Sequence, residues 1–214
     1  MAIDDITLSV EAICTMALSH IGMKGFTDYD AEVAANNPSA LAIGKHWASC
    51  RNEVLGDSKF PFSTVIGTLD YMTLVDSDDY PEWESFWTYP SSVLKVWNVF
   101  DESTVKTKDE SQFEIVYNPT LDEKVICCNL DTNNTAYAEE SYSITDPLSW
   151  DTRFVMAFSY RLAAAICKEL TGSDEMSIKM LQIYGNYISE TKRQASIEKK
   201  SKPTQSNPTV EARG

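Results

Sequence analysis

Two amphipathic runs joined by one glycine constrain this chain more than any other feature. From Asp151 onward, Phe154, Val155, Phe158, Leu162, Ala165, Ile166 and Leu170 recur at helical spacing as far as Thr171. Gly172 stops the run and Ser173 can cap the next one. Asp174 and Glu175 then fall in the first turn, where the helix dipole favours acids. Met176, Met180, Ile183, Tyr184, Tyr187 and Ile188 carry the pattern on to about Ile197. Two long helices with apolar stripes need helical partners to cover them.

The first sixty residues supply candidates. A helix is expected from about Ser9 to Ile21, with Ser9 as cap, Ile13, Met16, Ala17 and Ile21 on one face, and Gly22 as the stop. Residues 23–38 read as a loop in which Glu32–Ala35 could begin a helix early. A second helix is expected from about Ser39 to Leu55. Its stripe is Ile43, Trp47, Cys50 and Val54, and Gly56 ends it. The aromatic–proline–aromatic step Phe60-Pro61-Phe62 follows at the exit of that helix, where it is expected to clamp the joint between two parts of the molecule.

Between about 60 and 145 short apolar runs alternate with turn residues. Val93–Phe100, Gln112–Tyr117 and Lys124–Leu130 read as strands, the last two as a hairpin about Asn118-Pro119 and Leu121-Asp122, and Ala136–Ser143 adds a fourth. The expected architecture is therefore α+β, mainly α. Residues 1–58 and 147–198 form a four-helix bundle, and 59–146 form a β-rich insert between helices two and three. Residues 199–214 form an extended, flexible arm, since Pro203 and Pro208 interrupt helix and few apolar groups are present.

The same residues exclude several chemistries. No run of 18 apolar residues is present, and the acidic N-terminus does not read as a secretory signal. No GxxxxGK(S/T), GxGxxG or GxSxG motif occurs, so no phosphate cradle or nucleophile elbow is expected. His20 and His46 have no nucleophile motif beside them and read as core-flanking or surface residues. Cys14, Cys50, Cys127, Cys128 and Cys167 lack CxxC spacing and read as free thiols, with a zinc site as the remote alternative. The acidic run Asp76, Asp78, Asp79, Glu82 and Glu84 lacks the spacing of a calcium loop and reads as solvated. Trp83, Trp87 and Tyr89 beside it read as packing residues, or as a protein- or carbohydrate-binding surface. No catalytic residue, cofactor or metal is expected.

Charge is informative about partners. The net charge is −14. From Thr191 onward Lys192, Arg193, Lys199, Lys200, Lys202 and Arg213 oppose only Glu198 and Glu211, so that end is +4 and the remainder −18. An acidic body repels phosphates, so tight DNA binding is not expected.

Several segments, in order along the chain, resemble the head-to-tail adaptor proteins of short-tailed bacteriophages, the tail tubular protein A-like family. They are ALSHIG (Ala17–Gly22), ALAIGKHWASCRNEVLGDSKFPFS (Ala40–Ser63) and YPSSVLKVWNVFD (Tyr89–Asp101), then DTRFVMAFSYRLAAAICKELTGS (Asp151–Ser173), YGNYISETKRQASIEKK (Tyr184–Lys200) and a closing EAR. The resemblance implies a structural virion protein at the head–tail junction, made in the bacterial cytoplasm. It would form a ring of twelve subunits below the portal protein, dock the tail nozzle or a tail tubular B-like protein, and let DNA pass without specific binding or a membrane. It implies a C-terminal arm that reaches along the portal, with Lys199, Lys200, Lys202, Val210 and Arg213 as its binding residues. Other readings are a head-completion or stopper connector and a carbohydrate-binding or hydrolytic tail module.

Overall fold

A computed structural model describes residues 9–73, 75, 80–106 and 111–200, with side chains as far as Gln194. Helix α1 (Val10–His20) is capped by Ser9, whose hydroxyl accepts the Ala12 N–H at 3.2 Å. A short α2 (Tyr29–Ala34) starts on Asp28, and α3 (Pro38–Asp57) on Asn37 with proline in its first turn. Helix α4 (Thr152–Thr171) is capped by Asp151 and ended by Gly172 at φ 71°, a conformation that costs other residues energy. Helix α5 (Asp174–Lys200) completes the set.

The expected four-helix bundle is corrected by this arrangement. The fold is α+β, with five helices and two three-stranded antiparallel sheets among the described residues, and about 46% helix against 21% strand. Helices α1, α3 and α5 each pack chiefly on α4. The physical reason lies in α4 itself. Phe154, Val155, Ala157, Phe158, Ser159, Leu162, Ala163, Ala164, Ile166 and Cys167 are all buried, which is more than one face of a helix. A helix buried around most of its girth is a hub for its neighbours. It is not one of four equivalent staves.

Between α3 and α4 lie β1 (Thr64–Thr68), β2 (Ser85–Thr88), β3 (Val93–Phe100), β4 (Phe113–Asn118), β5 (Glu123–Cys128) and β6 (Tyr137–Tyr142). One sheet has the order β1-β6-β3, the other β2-β5-β4. They face each other across Leu69, Trp87, Val96, Val99, Ile126, Cys128 and Ala138. Both flanks are stitched. Ser111 donates its N–H to the Val99 carbonyl at 3.1 Å, joining β3 to the approach of β4. On the other side Thr88 donates to Asp70 at 2.9 Å and Met72 to Phe86 at 2.8 Å, joining the continuation of β1 to β2. The result is a flattened, partly closed barrel. The outer face of the second sheet buries Phe86, Val125 and Cys127 beneath Met72, Val75, Tyr80 and Trp83. Cys127 and Cys128 thus serve opposite faces, as strand alternation requires.

Candidate functional site at the seam between helices and sheets

The chain leaves α3 through Ser58-Lys59-Phe60-Pro61-Phe62 and enters β1 two residues later. Phe60 is fully buried and Phe62 half-buried, while Pro61 is exposed. Both phenyl rings meet Phe154 edge-on, with centroids 5.2 and 5.3 Å away, and Trp150 meets the same ring from 4.9 Å. Edge-to-face packing is the favourable geometry for aromatic quadrupoles. The aromatic step is therefore anchored on the first turn of α4, and both rings belong to the cluster of the helical core.

What ties the sheet to that anchor is polar. Lys59, between the helix end and the aromatic step, reaches Glu139 on the central strand β6 at 2.5 Å. Glu139 also accepts from Asn98 of β3 at 2.6 Å, and both Glu139 and Asn98 are buried. Two residues on, on the same face of β6, Ser141 accepts from the Trp97 indole at 2.6 Å. Lys95 lies 4.0 Å from the centroid of that Trp97 ring and donates to the Gly56 carbonyl at the end of α3. Below it, Arg51 donates to Ser143 at 3.0 Å, and Ser143 to Asn52 at 2.9 Å. Tyr184 of α5 closes the helix end with a 2.5 Å bond to Asp57, and burial raises its hydroxyl pKa. These contacts bind α3, β3 and β6 into one rigid mount.

Glu140 points to the opposite face of β6, into the space between the sheets. It is buried, and one oxygen accepts the Tyr142 hydroxyl at 2.6 Å, while the other has no hydrogen-bond partner among the described residues. Burial raises its pKa, and its carboxylate pushes Tyr142 up to about 12.

The remaining sequence candidates are dispersed. His20 half-buries at the end of α1, stacks on Tyr160 with centroids 3.9 Å apart and bonds Ser159 at 3.1 Å. Burial lowers its pKa. Ser159 is buried and donates to the Met156 carbonyl, and among the described residues no carboxylate orients His20, so the pair is no hydrolytic constellation. An open groove of about 640 Å³ beside His20 is lined by Met176, Met180, Glu175 and Lys179 of α5. His46 lies 3.9 Å from Glu169. All five thiols are buried and free. Burial raises Cys14 to about 12 and Cys127 to about 11, which suppresses thiolate chemistry. Trp87 is core, whereas Glu82 and Glu84 are exposed and Asp76, Asp78 and Asp79 lie outside the described residues. Lys199 and Lys200 are the last two residues of α5. Lys202, Val210 and Arg213 lie outside the described residues. No cluster of metal-ligating side chains occurs among those described, nor any helix long and apolar enough to cross a membrane.

The polar mount was missed in the sequence. Its one legible signal is Glu139-Glu140, two adjacent acids in an otherwise strand-like run, since consecutive strand residues point to opposite faces and at least one of the two must turn inward. No protein-family model and no curated protein matches this chain.

Proposed function

We propose that the chain is a structural virion protein, the head-to-tail adaptor of a short-tailed phage, acting in a ring below the portal and without catalysis. The observation that carries the reading is the ordered resemblance, whose segments fall on α1, α3, β3, α4 and α5. Those are four of the five helices and the longest strand, so the likeness concerns the scaffold that sets subunit shape. The seam is consistent with such a role: its ionic and hydrogen-bonding contacts tie helices to sheets, and among the described residues it presents no nucleophile paired with a base. An acidic surface facing a channel would repel the phosphate backbone and let DNA slide. The basic end beyond Thr191 would dock on an acidic partner, the portal in this reading.

Electron microscopy of the purified full-length chain mixed with portal rings tests this. A ring of added density on one portal face is expected. A portal that stays bare at saturating chain overturns the reading. Truncation after Lys200 should leave the melting temperature unchanged and strongly weaken portal attachment. Full attachment by the truncated chain removes the arm from the proposal.

A further inference from the structure

The register of β1 exposes a feature the seam does not use. Ser63 and Leu69 both bond β6, through Tyr142 N–H to Ser63 carbonyl and Leu69 N–H to Ala136 carbonyl, each at 2.9 Å. Antiparallel bonding alternates, so Val65 and Gly67 also face β6, while Thr64, Ile66 and Thr68 turn their N–H and C=O groups outward. The same parity continues downstream, where Asp70 and Met72 meet β2. Upstream of Asp70 that partner is lost, because Pro90 occupies the next ladder position, has no N–H, and begins the turn into β3. Among the described residues nothing pairs with this edge of β1.

Its chemistry is unusual for an edge strand. No charge occurs from Phe60 to Leu69 in a chain of net charge −14, and Val65 and Ile66 are 55% and 38% exposed. Soluble proteins usually guard such an edge with lysine, proline or a bulge. At the far side of the barrel, β4 is the outer strand of the other sheet, and it exposes Ile115 and Tyr117 at 38% and 58%. Within named strands the large exposed apolar residues are these four, on two edges of five and six residues.

We infer that the occupant of the β1 edge is β4 of a second copy of this chain, so that one copy's first sheet continues into its neighbour's second sheet. This rests on the ring proposed above and names its contact. Copies carrying −14 each repel, and their closest approach falls where charge is absent, which β1 supplies. The two edges are different strands of different sheets, so the contact is head-to-tail and propagates, and a self-complementary pair would not. A five-residue strand pairing is a small interface. Pairwise association is therefore weak, and ring closure, in which every copy uses both edges, multiplies it.

Sedimentation velocity of the full-length chain over a concentration series, at low and moderate salt and again with portal rings, tests the contact. Ile66→Pro removes an outward N–H without touching the β1–β6 ladder. It should weaken self-association about tenfold or more with the melting temperature kept. Thr68→Pro strips the next outward N–H and serves if the first variant melts early. Ile115→Lys should block the other edge equally. Mixing the two blocked proteins should restore a heterodimer and nothing larger, since each keeps one free edge. Salt should strengthen wild-type assembly by screening the acidic bodies. Assembly of the proline variants at wild-type strength, or blocked partners that fold but do not pair when mixed, overturns the inference and leaves the ring standing. A wild-type chain that is monomeric both alone and on the portal overturns both.

Discussion

Lys59 Nζ and Glu139 Oε2 lie 2.5 Å apart where the exit of α3 crosses the central strand of the first sheet. The contact is one-sided in burial: the glutamate side chain is 8% exposed and the lysine 24%. Removing either partner therefore has unequal consequences. Lys59→Ala leaves a buried carboxylate held by Asn98 and should cost about 3 kcal/mol. Glu139→Ala lets the ammonium turn to water and should cost less, about 2 kcal/mol. The double variant should cost less than the sum by about 1 kcal/mol or more, read from urea unfolding. Additive losses would mean that the pair does not tie helix to sheet.

The aromatic step should divide the same way. Phe60→Ala removes a fully buried ring packed on Phe154 and should cost about 3–5 kcal/mol. Phe62→Ala, at a half-buried position, should cost less, and Pro61→Ala at the exposed position should stay within about 0.5 kcal/mol. Trp47 is half-buried against Trp150 and Phe158, so Trp47→Ala should fall below Phe60→Ala. Equal losses at Phe60 and Pro61 in thermal unfolding would contradict this packing.

Much of this scaffold was legible because it follows from periodicity and caps. Ser9, Asp151 and Gly172 mark helix ends in the sequence and occupy those ends in the fold. Strand β3 was legible because Val93–Phe100 is long and β-branched. Strands β1 and β2 were not. TVIGT is five residues with an internal glycine, and SFWT is four residues beside an acidic run, so neither offers a full alternation to count. Helix α2 has six residues, none fully buried, and only Tyr29 and Val33 pack against the core, a stripe too short to count. The bundle failed as an expectation because periodicity reports that α4 has an apolar face. It does not report how many neighbours share it. The seam was illegible for a different reason: Lys59 and Glu139 are eighty positions apart, and only the fold brings them together.

Glu140 gives a pH prediction. Its folded-state pKa is raised by burial above the usual 4.5, so the folded state binds this proton more tightly than the unfolded state. Stability from this group is therefore present at low pH and is lost as pH rises from about 4.5 through the raised value. Glu140→Gln keeps the shape and removes the charge. It should raise stability at neutral pH and flatten the pH dependence above 4.5 relative to wild type. Denaturant unfolding across that range decides it. A glutamine variant less stable at neutral pH would show that the ionised carboxylate is favourable where it sits.

Gly67 and Glu140 supply the sharpest test of the space between the sheets. Gly67 sits on β1 beside the Glu140 side chain, and a Cβ placed there would lie 2.9 Å from a carboxylate oxygen. That oxygen is the one holding the Tyr142 hydroxyl, so it cannot swing away without giving up its bond. Gly67→Ala should therefore destabilise by about 1–3 kcal/mol, although alanine normally suits a strand better than glycine. Glu140→Ala alone should also destabilise, through the cavity it opens. In the double variant the new methyl enters the vacated space and the clash is gone. The combined loss should fall short of the two single losses by about 1 kcal/mol or more, a coupling expected only of residues in direct contact. Strict additivity in chemical unfolding would place Gly67 and Glu140 further apart than the fold has them.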